Sequence, residues 1–118
     1  MRALIVDDSL VARKFAVTIL KELDPSIECV IAKEAEAGFA NFQSEKPEIA
    51  LIDFNMPGDD GLQLCRKIRD TGSEIRIALC TANTQKAVAD RAGAMGVIVI
   101  NKPLSAEKLG DFVRGADG

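Results

Sequence analysis

Four short segments of the chain are apolar at every position, with no alternation between apolar and polar residues. They are residues 3–6, 49–52, 77–80 and 97–100. An uninterrupted apolar run of this length is typical of a strand buried on both faces, as in a parallel sheet covered by helices. A fifth run, residues 27–32, contains Glu28 and therefore predicts an edge strand.

The segments between these runs carry apolar residues at helical spacing. The clearest examples are Val11, Phe15, Ile19 and Leu23 in the first segment, and Leu62, Cys65 and Ile68 after residues 49–52. Each segment is long enough for a helix that crosses over between two parallel strands. The pattern therefore predicts five units, each a strand followed by a helix.

Polar residues and helix breakers indicate where these helices begin and end. Suitable N-caps are Ser9 for the first helix, Thr84 or Asn83 for the fourth and Ser105 for the fifth, and the exits are marked by Pro25, Pro47 and Gly72. The residues DDGL, 59–62, predict a third helix with acids in its first turn. We expect the fifth helix to finish near Arg114, with residues 115–118 as a tail or the start of a linker.

Five such units predict an α/β fold with helices on both faces of an open parallel sheet and right-handed crossovers. The common small arrangement of this kind is doubly wound and flavodoxin-like, with strand order 2-1-3-4-5. It places a ligand at the carboxyl ends of the first and third strands. The 118 residues are 47% hydrophobic, which suits one core, so residues 1–118 are expected to form a single domain.

Composition and charge exclude several classes of function. A net charge of -3 provides no basic field for a nucleic acid, so we expect this domain alone to bind none. The first apolar run, residues 3–6, is only four residues long before the charged Asp7 and Asp8. Such a short run predicts neither a signal peptide nor a membrane span, and it favours a cytoplasmic location. Three scattered cysteines without any histidine remove the usual zinc sites and the Ser-His-Asp arrangement, and reduced, buried cysteines are the simpler interpretation.

Charged and hydroxyl side chains occur where the predicted strands end. Asp7 and Asp8 follow the first strand, Asp53 the third, Thr81 the fourth and Lys102 the fifth. Because neighbouring strands lie about 4.8 Å apart, the three carboxylates should converge at one edge of the sheet. Such a cluster needs a cation, and oxygen ligands of this kind suit Mg²⁺.

This group of side chains has the composition of a phosphoryl-transfer site. A cation beside Asp53 would let its carboxylate attack phosphorus, while Lys102 and Thr81 could contact phosphoryl oxygens. Each residue alone also has an ordinary explanation, as a loop acid, a solvated lysine or a helix cap. Their placement at four strand ends favours the phosphoryl site.

Four sequence segments resemble the receiver domains of two-component response regulators, especially the chemotaxis type. They are LIVDDS (4–9), LIDFNMPGDDGL (51–62), LCTAN (79–83) and NKPLS (101–105), and the resemblance covers essentially the whole chain. It implies a phosphorelay function, in which Asp53 accepts a phosphoryl group from a phosphohistidine on a histidine kinase or phosphotransfer protein. It also implies that the domain catalyses only its own phosphorylation and dephosphorylation.

The resemblance assigns roles to the other site residues. Asp8 and Asp53 would bind Mg²⁺ through their side chains, Asp7 through water and Asn55 through its backbone carbonyl. Lys102 would contact the phosphoryl group, Thr81 would move inward to bond it, and Ala82 would leave room for access. The bond between Lys102 and Pro103 is expected to be cis, as X-Pro bonds permit.

The output implied by the resemblance is a change in the face formed by the fourth helix, fifth strand and fifth helix. That face would bind a downstream protein, a fused output domain or a second copy of the chain. One feature departs from the family, which often carries a Tyr or Phe shortly before the lysine of the fifth strand. Here the nearest residues are Val99 and Ile100, and the chain has no tyrosine.

Two other functions are compatible with parts of the sequence. A receiver-like module could dock constitutively without being phosphorylated, although the complete set of acids, Thr81 and Lys102 argues against this. A hydrolase of the haloacid-dehalogenase kind would need a second acid two residues after the nucleophile, where this chain has Asn55.

Overall fold

The computed structural model describes residues 1–115, in which five strands and five helices alternate along the chain. The strands are β1 (Arg2–Val6), β2 (Glu28–Ala32), β3 (Ile49–Asp53), β4 (Arg76–Thr81) and β5 (Ile98–Asn101). The helices are α1 (Leu10–Leu23), α2 (Ala35–Glu45), α3 (Gly61–Asp70), α4 (Lys86–Ala94) and α5 (Ala106–Arg114). All strands are parallel in the order β2-β1-β3-β4-β5, so the predicted fold class is confirmed.

Helices cover both faces of the sheet, because the strands are apolar on both sides. One core lies between the sheet and α2, α3 and α4, and includes Leu4, Ile52, Leu64 and Leu79. The other lies between the sheet and α1 and α5, and includes Ile5, Leu51, Leu20 and Phe112. Alternate residues of one strand thus enter opposite cores, which explains why the strands are apolar without interruption.

The strand register brings the carboxyl ends of β1, β3, β4 and β5 to one edge. Val6 pairs with Ile52, Asp53 with Cys80, and Thr81 with Asn101. The residues that end these strands or follow them therefore lie side by side, and this edge carries the candidate site.

Two of the three predicted hydroxyl or amide N-caps are confirmed. The Ser9 hydroxyl accepts a hydrogen bond from the Ala12 N–H, and the Ser105 hydroxyl accepts one from the Lys108 N–H, both at 3.2 Å. Such bonds satisfy N–H groups that the first turn of a helix leaves unpaired. The α5 helix also ends at Arg114 as expected, while residues 116–118 of the proposed tail lie outside the described part of the chain.

The prediction of Thr84 or Asn83 as N-cap of α4 is wrong. The N-cap is Gln85, and within the described chain its side chain makes no capping bond. The Thr84 hydroxyl instead donates to the Asn101 side chain, and the Asn83 N–H donates to Thr81. The Thr84 side chain is thus engaged elsewhere, and Asn83, which lies two residues before the N-cap, bonds to Thr81 through its backbone.

The start of α3 also differs from the prediction. The helix begins at Gly61 and has no acid in its first turn, because Asp60 is the N-cap itself. Its carboxylate accepts from the Gln63 N–H at 3.0 Å, and the Gln63 side chain accepts in return from the Asp60 N–H at 2.7 Å. This reciprocal pair fixes where the loop after β3 becomes a helix.

Two apolar segments are more exposed than their pattern suggests. In α1 the buried residues are Ala16, Ile19 and Leu20, so that Val11 and Phe15 lie at the outer side of the helix with exposed fractions of 78% and 49%. In β5 Ile98 is also exposed, because β5 is an edge strand rather than a central one.

Two further predictions concern the cysteines and membrane spans. Cys65 and Cys80 are buried, Cys29 is half-buried, and all three are free thiols. Among the helices of residues 1–115, none combines the length and apolar character that crossing a membrane requires.

Candidate functional site

Three carboxylates meet at the carboxyl edge of the sheet. One oxygen from each of Asp7, Asp8 and Asp53 lies within 4.8 Å of the other two. Asp7 and Asp53 are buried, whereas Asp8 is exposed. The arrangement matches the convergence expected from the strand ends, and its hard oxygen donors with one open side fit a divalent cation such as Mg²⁺.

Lys102 supplies the positive charge of the cluster. Its ammonium nitrogen lies 3.0 Å from Asp53 Oδ1 and 3.2 Å from Asp7 Oδ2. Burial alone would lower the pKa of Lys102, but the hydrogen bond and the charge of Asp53, together with Asp7, outweigh it and raise the pKa. The lysine therefore remains an ammonium group that bridges two of the three acids.

Asp53 experiences opposing influences. Burial raises the pKa of its carboxyl, and the negative charges of Asp7 and Asp8 add to this, while Lys102 acts in the opposite direction. The pKa is raised overall, so the carboxylate is less favourable here than in water. A further cation would relieve this penalty.

Backbone contacts hold the loop after β1 in place. The Asp7 carboxylate accepts from the Ser9 N–H at 2.9 Å, and the Arg13 guanidinium donates to the Asp7 carbonyl at 2.7 Å. Ser9 also caps α1, so the helix and the acids share one anchored turn. The sequence predicts Ser9 only as a helix cap, and it does not indicate the contact of Arg13, because a guanidinium on a helix usually faces solvent.

The loop after β3 depends on Gly61. Its N–H donates to the Phe54 carbonyl at 3.0 Å, and an added Cβ would lie 2.4 Å from the Asp53 carbonyl oxygen. Such a distance is far inside van der Waals contact, so only glycine permits α3 to begin this close to Asp53. Asn55 is exposed in the same loop, while the neighbouring Met56 is buried and anchors it.

Thr81 lies at the end of β4 but its hydroxyl bonds within its own loop. It donates to the Asn83 carbonyl at 3.2 Å and accepts from the Asn83 N–H at 3.3 Å. Thr81 is buried and the following Ala82 is exposed. The fifth strand ends beside it, since the Lys102 N–H donates to the Thr81 carbonyl at 2.8 Å, and the bond from Lys102 to Pro103 is cis as expected.

A cavity of about 120 Å³ adjoins the acids, between α1 and the segment that follows β5. Its lining includes Asp53, Lys102, Phe15, Cys80 and Leu104. The apolar wall beside the charged groups was not predicted, because the pattern placed Phe15 inside the core. The sequence feature that could have indicated this wall is Phe15, an aromatic residue at the edge of the buried face of α1.

Residues 3–114 match the family described as the response regulator receiver domain. The chain belongs to this family. The match covers nearly the whole receiver domain, and it includes every residue of the site described above. Receiver domains act in phosphorylation signalling, so the broad functional class follows from membership.

Two curated relatives illustrate the range of proteins that contain this domain. The receiver is 33% identical over 114 residues to a protein-glutamate methylesterase/protein-glutamine glutaminase of Nocardioides sp., covering 93% of the chain and 31% of that protein. It is 32% identical over 123 residues to the positive alginate biosynthesis regulatory protein of Pseudomonas aeruginosa, covering 98% of the chain and 47% of that protein. The chain thus spans about a third to a half of the length of these relatives.

Solved structures agree with the fold. The chemotaxis protein CheY4 of Vibrio cholerae has a TM-score of 0.86 with the receiver at 23% identity, over 96% of this chain and 95% of that one. The signal receiver domain of the putative response regulator NarL of Mycobacterium tuberculosis has a TM-score of 0.84 at 26% identity, over 96% and 92% of the two chains.

Proposed function

We propose that this receiver domain accepts a phosphoryl group on Asp53, in a Mg²⁺-dependent reaction, from a phosphohistidine of a sensor histidine kinase or phosphotransfer protein. The observation that carries the proposal is the position of Asp53, which is buried at the end of a central strand between two further acids and bridged by Lys102. A carboxylate held in this way has a cation-binding site on one side and an ammonium on the other.

Asp8, Asp53, the Asn55 carbonyl and, through water, Asp7 would hold the metal. When bound, Mg²⁺ would reduce the charge repulsion between a carboxylate and an incoming phosphoryl group. An oxygen of Asp53 forms the new bond to phosphorus, the bond from phosphorus to the donor imidazole nitrogen breaks, and the imidazole retains that electron pair. Lys102 exchanges its contact with the carboxylate for one with a phosphoryl oxygen.

Phosphorylation would then change the side of the molecule built from α4, β5 and α5. Asp53 gains negative charge, and Thr81 must leave Asn83 if its hydroxyl is to donate to a phosphoryl oxygen. Movement of Thr81 shifts the loop that begins α4. We infer that this face binds a downstream protein, a fused output domain or a second copy, according to the phosphorylation state.

The exposed apolar residues of α1 suit the phosphohistidine donor. Leu10, Val11 and Phe15 are all about half or more exposed, and Phe15 lines the cavity beside Asp53. A donor protein that covers them would bring its histidine to the open side of the acids. Such a contact also excludes water from the site during transfer.

The proposed unit is residues 1–118 acting as one receiver in the cytoplasm. It would catalyse only its own phosphorylation and dephosphorylation and would bind no nucleic acid itself. Any further activity would belong to an output domain in the same chain or to a separate protein, as the greater length of the relatives suggests.

Phosphodonor labelling tests the assignment of Asp53. Wild type incubated with Mg²⁺ and a small phosphodonor should gain one phosphoryl adduct by intact mass, and chelator or Asp53→Asn should abolish it. Asp59→Asn is the matched control, because Asp59 is a half-buried acid of the same loop that pairs with Lys67 at 3.1 Å, and it should label like wild type. Labelling that survives Asp53→Asn would refute the site.

The same experiment separates the alternatives. If wild type gains no adduct, the constitutive docking module becomes the better explanation. The haloacid-dehalogenase type of hydrolase would require turnover of an added phosphomonoester, and we expect none because the carboxamide of Asn55 cannot act as a general acid or base at neutral pH.

A further inference from the structure

The segment between β4 and α4 is held by two side-chain contacts in series. Thr81 exchanges two hydrogen bonds with Asn83, and the next residue, Thr84, donates its hydroxyl to the side-chain oxygen of Asn101. Asn101 is the last residue of β5 and precedes Lys102. The segment that Thr81 must displace is therefore tied directly to the strand that carries the site lysine.

Asn101 also connects this segment to α5. Lys108 of α5 donates to the Asn101 carbonyl at 2.8 Å and to the Pro103 carbonyl at 3.1 Å. One residue thus contacts the start of α4 through its side chain and α5 through its backbone. Asn101 itself ends β5, so the three connected elements are α4, β5 and α5, which form the proposed output face.

Other anchors of the α4 start are few. Its N-cap Gln85 forms no capping bond within residues 1–115, and the buried side chains of α4 are only Val88 and Ala92. An element with so little burial is expected to be of low local stability. A single side-chain contact at its start can then affect the position of the loop appreciably.

We propose that Thr84 and Asn101 are positioning residues that hold the loop after β4 in its unphosphorylated arrangement, and so restrain Thr81 from reaching the phosphoryl group on Asp53. The inference rests on the proposed function. In this chain the link between Thr81 and the fifth strand would be the polar pair of Thr84 and Asn101, both of which are exposed. The family often carries an aromatic residue in this strand, where this chain has the half-buried aliphatic Val99.

Removal of the pair should favour the phosphoryl-bound arrangement. A contact present in one arrangement only shifts the equilibrium toward the other when it is lost. A net side-chain hydrogen bond at an exposed position corresponds to a shift of about two- to fivefold in that equilibrium. We therefore expect beryllofluoride, a phosphoryl mimic, to bind about two- to fivefold more tightly in the presence of Mg²⁺.

The variants are Thr84→Val, which keeps the shape and removes the hydroxyl, Asn101→Leu and the double variant. Their affinities for beryllofluoride are measured by NMR titration. Each single variant should bind more tightly than wild type, and the double variant no more tightly than either single one, because the two changes remove the same contact. Thr84→Ser retains a hydroxyl and should restore the wild-type value.

Thr18→Val is the matched control. Thr18 is an exposed residue of α1 whose hydroxyl donates to the Lys14 carbonyl at 2.9 Å, so the same atoms are removed outside the pair. It should leave the affinity unchanged. Equal or weaker binding by Thr84→Val, or fully additive effects in the double variant, would overturn the proposal.

Hydrogen exchange without Mg²⁺ or beryllofluoride gives a second readout. Amides of α4 should exchange faster in Thr84→Val than in Thr18→Val, and equal rates would overturn the proposal. If wild type binds no beryllofluoride at all, the proposed function fails, and the exchange rates still decide whether the pair restrains the start of α4.

Discussion

Asp53 is a carboxylate held in surroundings that disfavour its charge. Burial is the main cause of its raised pKa, followed by opposing effects of Lys102 and the neighbouring acids. The folded state therefore binds a proton here more tightly than the unfolded chain does. The free energy of unfolding therefore falls as pH rises from the ordinary aspartate pKa through the raised pKa of Asp53, and the penalty is present at neutral pH.

Replacement of this charge should stabilise the metal-free protein. In chelator at pH 7, Asp53→Asn is expected to increase the free energy of unfolding, measured by urea denaturation, because it removes the buried charge. The difference should shrink as pH falls through the raised pKa of Asp53 and vanish below the ordinary aspartate pKa, because wild type then becomes neutral at this residue too. Glu74→Gln, at an exposed residue before β4, is the control, and a less stable Asp53→Asn at pH 7 would contradict the argument.

At this scale the sequence predicted the acids, Thr81 and Lys102 as neighbours, because each directly ends or follows a strand. The contact of Arg13 with the Asp7 carbonyl could not be predicted, since it depends on how α1 is oriented over the loop. The hydrogen bonds of Thr81 with Asn83 could not be predicted from the sequence either, because several acceptors lie within reach of a hydroxyl at the end of a strand.

Helices α3 and α4 differ in their N-terminal capping bonds and in how many of their residues are buried. The α3 helix begins with a reciprocal cap and buries five residues, whereas α4 lacks a side-chain cap within the described residues and buries two. The caps of α1 and α5 were predictable from Ser9 and Ser105, because a serine directly before an apolar periodic segment has little competing use. Thr84 did not cap α4 because its hydroxyl bonds to Asn101 of β5, and Asn83 lies in the loop two residues before the N-cap Gln85.

A glycine-to-alanine substitution should change the free energy of unfolding in opposite directions in these two helices. Gly93→Ala in α4 places a methyl group in open space and should raise the free energy of unfolding by about 1 kcal/mol. Gly61→Ala at the start of α3 drives a Cβ into the Asp53 carbonyl and should lower it by more than that. Urea denaturation compares both with wild type, and a neutral Gly61→Ala would show that the loop after β3 can shift freely.

For the whole molecule, the proposed metal site at the edge of the sheet would couple metal binding to the free energy of unfolding. The acids come from two strands that lie far apart in sequence, so the cluster exists only in the folded chain. A ligand that binds the folded state alone stabilises it by mass action.

Addition of Mg²⁺ should therefore raise the melting temperature. At a Mg²⁺ concentration about ten times the dissociation constant, we expect an increase of about 3 to 8 °C, measured by circular dichroism. Asp8→Asn should reduce the increase strongly, while the control Asp59→Asn should retain it. An equal increase in both variants would mean that Mg²⁺ acts outside the acid cluster.

Strand order and the two-sided core were predictable from four uninterrupted apolar runs, a fifth run that contains Glu28, and the spacing between them. The exposure of Val11, Phe15 and Ile98 was not, because an apolar residue gives the same signal whether it faces the core or a future partner. What the sequence does not reveal is the rotation of each helix about its own axis, and which residues of an edge strand such as β5 are left exposed.

Lys102 touches the same two carboxylates that would receive magnesium and phosphate. The Lys102 ammonium acts as an internal counterion. An arriving Mg²⁺ therefore competes with a cation that belongs to the chain and whose local concentration never changes. Metal occupancy should for that reason depend on the free magnesium level around the protein. A molecule built in this way would be insensitive to phosphodonors in magnesium-poor surroundings.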